Sequence, residues 1–324
     1  MTKLTDRIGR RIKLRDLRVV LAVVHSGSLS KAAESLAVSF PVVSRTVSTL
    51  EHALGVRLFD RTAVGVQPTM YGRALIKSST AVFDELRRGV EQIEFLSDPS
   101  LGELRIGTTQ PMMAGLLSIA IDQLISRYPK MAIQATTEAG GTMRNALRDR
   151  TIDVLVLPSI SAASDDDLVS EFLFNEKLFV VAGLQSRWAR RRRVELDELM
   201  DELWALPLST PFLGALIAEG FRSRGHGLPK CTVDSDSVHL RSSLLATGRY
   251  LSVLPESMLR FGPRPLTVKR LPLAPLGEPL PYKILTLKNR TLSPVTQLFI
   301  DRIRELVKPL VKEPDLRADL RPVQ

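Results

Sequence analysis

Residues 27–54 read GSLSKAAESLAVSFPVVSRTVSTLEHAL. The spacing predicts two short helices joined by a tight turn. Ser28 stands where a hydroxyl can accept from an orphan amide of the first turn, so it caps LSKAAESL. Ala37, Val38 and Ser39 form the turn. Ser39 takes the cap position of the next helix, and Pro41 falls in its first turn, where a missing N–H costs least. That helix spans Phe40 to Leu54 and stops at Gly55. Val43, Val47, Leu50 and Leu54 share its apolar face, while Ser44, Arg45, Ser48 and Thr49 share the other. Ala32 and Ala33 are small where two helices must cross closely. Two helices with a three-residue turn have the form of a helix-turn-helix, whose second member enters the major groove of DNA. The same periodicity also suits an ordinary three-helix core with a solvated face, and spacing alone leaves both readings open.

The flanks extend the pattern. Upstream, Leu14, Leu17, Leu21 and Val24 recur at helical spacing, behind a basic arm over residues 1–11. Downstream, GVRLFDRTAVGVQPT (55–69) predicts two short β segments with Gly65 at their tip. A long helix follows over 70–97. Leu75, Val82, Gly89 and Leu96 interleave in it with Ser79, Leu86 and Ile93 at heptad spacing, the pattern of a helix that pairs with a second copy of itself. Packing on its own domain is the alternative.

Charge points the same way. The 324 residues carry a formal net charge of +10, and most of that excess lies in the first quarter of the chain. Clustered cations favour a polyanion because binding releases its condensed counterions. On the outward face of the second helix, Arg45 can donate to guanine or a phosphate. Ser39, Ser44 and Ser48 can bond bases or phosphates, and Val42 can touch a thymine methyl. Pro41 lies on the same surface, and Lys31 and Arg61 are placed for phosphates. Double-stranded DNA is therefore the first partner expected.

Other classes find little support. The single cysteine, Cys231, cannot form an intrachain disulfide, and the four histidines are scattered without metal-ligand spacing. No nucleophile elbow or catalytic constellation is read, so no enzyme activity, cofactor or metal is expected. The opening MTKLTDRIGRRIKLRD is charged too early for a secretory signal, and no apolar run approaches a membrane span. A cytoplasmic location, associated with the nucleoid when DNA is bound, follows as an expectation. The competing classes are an α/β enzyme or solute-binding protein with a basic accessory domain, and a chromatin-type protein that binds without sequence preference.

From residue 101 the texture changes. Short apolar runs alternate with helical patterns: LRIG (104–107), a helix to about Tyr128, MAIQAT (131–136), TMRNALRD and IDVLVLP (152–158). After a strand pair near 168–183 the alternation resumes through ELWALPL, KCTVDSD, YLSVLP and YKILTL, each with its helix. This predicts parallel βαβ units. Ligands favour the carboxyl ends of such strands, beside helix N-termini. Thr108, Thr109 and Gln110 follow the first strand and could hold a carboxylate or simply cap a helix. Ser159, Ser209, Thr210 and Ser237 occupy comparable strand ends. The run Arg190 to Arg193 reads as a solvated loop rather than a second DNA site. Periodicity ends at Pro309, so 309–324 is expected to be a mobile tail.

The N-terminal stretch resembles the winged helix-turn-helix of LysR-type transcriptional regulators. The shared pieces are GS-L-x-K-A-A (Gly27 to Ala33), V-S-x-P-x-x-S-R (Val38 to Arg45) and L-E-x-x-L-G-V-x-L-F-x-R (Leu50 to Arg61), with Thr69 and Gly72 opening the next helix. Several motifs in one order are far more specific than any one alone. The resemblance is strong over about residues 12–97 and collinear from 101 to about 308. It departs at Phe40, where the family often has Gln, and in the wing AVGVQ (63–67), which lacks the family's usual Arg. Gly248-Arg249-Tyr250-Leu251 replaces a Gly-rich turn.

The resemblance implies an α/β multidomain chain. A winged helix-turn-helix at 12–69, with its motif at about 29–48, precedes the linker helix at 70–97. An effector-binding domain at 101–308 resembles type II periplasmic binding proteins, with subdomain I at 101–176 and 280–308 and subdomain II at 177–279. It also implies a small-molecule effector, a carboxylate or a sugar, held between the subdomains. A homodimer would form through the linker helix, and a homotetramer from two such pairs. The two crossovers between subdomains could act as a hinge.

Overall fold

The computed structural model describes residues 12–62, 65–137, 140–159, 165–262 and 267–312. The basic arm 1–11, residues 63 and 64 of the wing and the tail from 313 onward lie outside the described residues. The chain divides into two compact units, Met1–Val90 and Glu91–Gln324.

In the N-terminal unit, α1 is Leu14–Ser26, α2 is Leu29–Ser35 and α3 is Phe40–Leu54. The Asp16 carboxylate accepts from the Lys13 backbone N–H at 3.0 Å and closes the start of α1. Gly27 and Gly55 end α1 and α3 in left-handed conformation, at φ 64° and 73°, where a side chain would be strained. Val19, Val20 and Val23 of α1, Ala32 and Ala33 of α2, and Val43, Val47 and Leu50 of α3 form one core with Leu58 and Phe59. The turn contains Ala37 at φ 52°. Ser28 and Ser39 do hold the N-cap positions, yet neither side chain bonds its helix. The backbone bonds at the two starts run from Ala32 N–H to Ser28 O and from Val42 N–H to Ser39 O, both at 3.0 Å.

Strands β1 (Phe59–Thr62) and β2 (Gly65–Pro68) pair antiparallel and make the wing. The wing is stitched to the corner between α1 and α2 by a bond from Val66 N–H to Gly27 O at 3.0 Å. Glu51 explains its place in the motif after Leu50: its Oε1 accepts from the backbone N–H groups of Leu58 (2.7 Å) and Phe59 (3.3 Å), tethering the chain beyond Gly55. Thr69 donates to Arg57 O at 2.7 Å and accepts from Gly72 N–H at 3.0 Å, which launches α4, Met70–Ser97. A β-carbon at Gly72 would stand 2.0 Å from Leu58 O.

The C-terminal unit contains two five-stranded sheets. The first has the order β4-β3-β5-β12-β6, from β3 (Leu101–Thr108), β4 (Lys130–Thr136), β5 (Val154–Pro158), β6 (Leu168–Glu176) and β12 (Leu280–Leu287). The second has the order β11-β7-β10-β8-β9, from β7 (Leu178–Gly183), β8 (Leu203–Leu206), β9 (Cys231–Asp234), β10 (Tyr250–Pro255) and β11 (Val268–Arg270). The helices covering them are α5 (Ser118–Arg127), α6 (Gly140–Arg148), α7 (Pro211–Arg222), α8 (Val238–Ala246), α9 (Glu256–Phe261) and α10 (Pro294–Lys312).

The expected parallel βαβ units are present, within sheets that are mixed overall: β3 runs parallel to β4 and β5, whereas the closing strand β12 runs antiparallel to β5 and β6. Likewise β8 is parallel to β9 and β10, and β7 is antiparallel to β10 and β11. Two expectations are corrected here. The strands near 168–183 do not pair with each other. Only Lys177 separates β6 from β7, too little chain for a hairpin turn, so β7 enters the second sheet instead. Finally, α10 continues through Pro309 to Lys312. Phe299, Ile300, Ile303 and Val307 are buried, and Leu306 and Leu310 pack on the same core, so tertiary packing outweighs the lost backbone bond.

The chain passes from the first sheet to the second at Glu176–Leu178 and returns to the first at Leu280. A buried ion cluster anchors the first sheet. Asp153 accepts from Arg105 Nη2 at 2.9 Å and from Arg290 Nη2 at 3.0 Å, and Asp153 and Arg290 are almost fully buried.

Candidate nucleic-acid interface and ligand seam

The core face of α3 leaves the opposite face to solvent. Arg45, Ser48, Ser39, Pro41, Val42 and, on α2, Lys31 are exposed, and Ser44 is half-buried. The side chains of Lys31, Arg45, Ser44 and Ser48 make no bond to other described residues. A cation and hydroxyls held open on a rigid helix are what base-edge and phosphate contacts require. Arg61 lies on β1, where it pairs with Val66 of the wing. Two large apolar side chains at the start of α3, Phe40 and Val42, are also open to solvent, at 47% and 48%.

On α4, Leu75 packs into the N-terminal core and Ser79 is buried, donating to Leu75 O at 2.7 Å. Beyond them Val82, Leu86, Val90, Ile93 and Leu96 remain exposed at spacings of three and four. Of the heptad seam read from the sequence, Leu75 and Ser79 are thus covered, while Val82, Leu86, Gly89, Ile93 and Leu96 are open.

In the C-terminal unit one strand-end side chain, that of Gln110, reaches from the first sheet to a helix of the second. Gln110 follows β3, and its side-chain oxygen accepts from Val238 N–H at 3.2 Å, at the start of α8. The Thr109 hydroxyl lies 3.2 Å from the Tyr282 hydroxyl of β12. Thr108 is different: it is fully buried, and its hydroxyl donates to Val156 O at 2.7 Å, inside the sheet. Ser159 is held at the end of β5 through its backbone N–H to Pro281 O at 2.7 Å. Ser209 donates its backbone N–H to Asp234 at 2.9 Å, and Thr210 precedes α7 without a side-chain cap bond. The Ser237 hydroxyl caps α8 by accepting from Leu240 N–H at 3.2 Å. Gln110 and Ser237 therefore meet at the start of α8, while the Thr109 hydroxyl is turned to Tyr282. The helical segment after Gln110 passes through a π turn at Met113–Leu117, where a β-carbon at Gly115 would meet Met258 Cα at 3.0 Å. Phe212 and Leu216 of α7 pack on the core of the first sheet, so the seam is apolar behind its polar edge.

Arg249 is exposed, its guanidinium 5.8 Å from the Tyr250 ring centroid. Arg190, Arg192 and Arg193 are exposed too, while Arg191 pairs with Glu198 at 2.9 Å.

Two buried polar groups escape a reading of the sequence. Glu176, 2% exposed, sits at the crossover and accepts from the Ser257 N–H at 3.0 Å and from its hydroxyl. Burial pushes its carboxyl up to about 7, against the bonds from Ser257. The neighbouring Glu176 charge and burial also raise the Tyr282 phenol, burial first. Tyr282 stacks on Phe174 with ring centroids 5.4 Å apart. Arg241 of α8 is buried as well, bonded through Nη1 to Val253 O at 3.0 Å and to the Ser252 hydroxyl at 3.3 Å, and burial lowers it to about 10. Their partners lie 81 and about a dozen residues away, and no local periodicity marks either one.

Comparison with known proteins adds the following. Residues 14–73 match the family model described as bacterial regulatory helix-turn-helix protein, lysR family, and residues 97–308 match the LysR substrate binding domain. The chain is 26% identical over 296 residues to the HTH-type transcriptional regulator GbpR of Azospirillum brasilense, covering 91% of this chain and 86% of that protein. It is 27% identical over 306 residues to the HTH-type transcriptional regulator YdcI of Escherichia coli K12, covering 92% and 96%. Among solved structures, full-length OxyR from Pseudomonas aeruginosa aligns with a TM-score of 0.63 at 21% identity, over 94% of this chain and 99% of that one. Full-length CbnR in complex with its target DNA aligns at 0.59 and 18% identity, over 91% and 100%. These structural likenesses concern the fold.

Proposed function

The chain belongs to the LysR family of transcriptional regulators, with a DNA-binding helix-turn-helix and an effector-binding substrate domain, and from that premise we propose which of its residues do the work. The winged helix-turn-helix at 12–69 reads an operator through α3. Arg45 donates to a base edge. Ser39, Pro41, Val42, Ser44 and Ser48 line the groove, and Lys31 and Arg61 hold phosphates. The observation that carries this reading is Arg45, exposed opposite the buried Val43–Val47–Leu50 face and unbonded to any described residue.

The helix over 70–97 joins two copies through Val82, Leu86, Val90, Ile93 and Leu96. An apolar row of this length left in water is unfavourable by about 25 cal/mol per Å², which a second copy would recover. A tetramer formed from two such pairs follows the reading already drawn from the sequence. The effector, a small carboxylate or a sugar, docks at the seam of the domain at 101–308, against Thr109, Gln110, Ser159, Ser209, Thr210 and Ser237. Thr108 is withdrawn from direct contact because its hydroxyl is spent on Val156. Binding there shifts the two sheets relative to each other and so changes operator affinity. Such coupling is typically about 1–3 kcal/mol and acts equally on effector and DNA affinity.

We read the chain as a regulator without a catalytic step, acting in the cytoplasm. No described helix is long and apolar enough to cross a membrane.

Genome-wide footprinting with and without a panel of carboxylates and sugars tests the whole reading. Discrete protected sites, altered by one member of the panel, are the expected result. Uniform protection without preferred sites would point instead to chromatin-type binding.

A further inference from the structure

The start of α3 carries an apolar surface that its own fold does not use. Val38 and Val43 stand at the two positions of a hydrophobic staple, so both have a place in the helix entry. Phe40 has none. It is absent from the N-terminal core, which Val43, Val47 and Leu50 close with Leu58 and Phe59. Nearly half of its surface is open, beside the equally open Val42.

Its position gives that exposure a direction. At roughly 100° per residue, Phe40, Ser44 and Ser48 form one row along the helix, next to the row of Pro41, Arg45 and Thr49. Helical side chains lean back toward the N-terminus. Phe40 therefore projects past the end of α3 that leads into the groove, continuous with the surface that carries Arg45. A phenyl ring offers nothing to a phosphate. In the major groove only thymine presents an apolar group, its C5 methyl, and phenylalanine is among the side chains suited to it.

We infer that Phe40 is a specificity-determining residue that selects thymine by packing on its methyl group at one operator position. The inference rests on the operator reading above and adds the chemistry of one contact to it. Where a polar side chain at this position would take a hydrogen-bonding base edge, this chain takes a hydrocarbon contact.

The test uses the full-length chain and a pool of random duplexes, from which wild type and Phe40→Gln each select preferred sites. Each thymine of the wild-type site is then replaced singly by deoxyuridine, which removes only the methyl. At one position uridine should weaken wild type about fourfold, the worth of one buried methyl-sized group. The same replacement should change Phe40→Gln less than twofold, and the thymine preference there should vanish from its selected sites. Phe40→Leu, which keeps an apolar side chain, should retain the preference, and this variant covers the case in which Gln impairs folding. No uridine effect at any position in wild type, a uridine effect equal in wild type and Phe40→Gln, or identical selected sites for wild type and Phe40→Gln would overturn the inference while leaving operator binding intact. Failure of wild type to enrich any site would overturn the operator reading with it.

Discussion

Gln110 and Val238 meet across the two sheets of the C-terminal unit: the Gln110 side-chain oxygen accepts from the Val238 backbone N–H at 3.2 Å. A side chain that follows β3 thus satisfies an orphan amide in the first turn of α8. Replacing Gln110 with Ala removes the acceptor and loosens the seam by about 1 kcal/mol. Amide exchange at Val238 should accelerate roughly fivefold in the variant, that free energy expressed as a rate. An unchanged rate would mean that the bond does not protect this amide in solution.

Glu176 makes the stability of the C-terminal unit depend on pH. Burial raises its carboxyl from 4.5 to about 7, despite the two bonds from Ser257, and nearby Glu256 pushes it the same way. The folded state therefore holds the proton more tightly than the unfolded chain. Its contribution is present in full below about pH 4.5 and is lost as pH rises through about 7. The full span is about 3 kcal/mol. Glu176→Gln keeps the shape and removes the titration. Between pH 4.5 and 7.5, the melting temperature of wild type should fall relative to that of the variant. Parallel curves would show that Glu176 titrates normally in the folded protein.

Gly72 leaves no room for any side chain, because a β-carbon would lie 2.0 Å from Leu58 O, a backbone atom held by the Thr69 N–H bond at 2.9 Å. Gly72→Ala should cost the N-terminal unit about 1–3 kcal/mol through the forced shift. Urea denaturation followed in that unit would report it as a lower midpoint. A midpoint equal to wild type would mean that the start of α4 moves freely away from the wing.

Asp153 balances Arg105 and Arg290 deep in the first sheet. Asp153→Ala would leave Arg290 buried without its carboxylate, a loss of about 3–5 kcal/mol. The variant should melt well below wild type, whereas the same loss at the half-exposed Glu171–Arg304 pair should cost no more than about 1 kcal/mol. Equal effects of the two substitutions would contradict this ranking.

How far the sequence discloses this molecule depends on the range of the interactions. The boundaries of α3, Phe40 to Gly55, follow from local spacing, a proline in the first turn and a terminal glycine, all within a few residues. The face carrying Arg45 follows from the same periodicity. Strand direction does not: an apolar run such as YKILTL reads alike in a parallel or an antiparallel neighbour, so the mixed sheets had to be seen. The run of α10 through Pro309 depends on packing of Leu306 and Leu310, which outweighs a local breaker. Hydroxyl partners are equally hidden. Nothing nearby in the chain distinguishes Thr108, turned into the sheet toward Val156, from Thr109, turned toward Tyr282. The Glu176–Ser257 pair joins residues 81 positions apart and leaves no trace in either segment.

The most direct measurement is the affinity of wild type and Arg45→Ala for a selected operator duplex and for a random duplex of equal length, titrated at the same salt concentration. The account predicts that Arg45→Ala loses roughly 1–3 kcal/mol on the operator and much less on the random duplex, so that the specificity ratio collapses. An operator affinity unchanged by the substitution would contradict the placement of α3 in the groove.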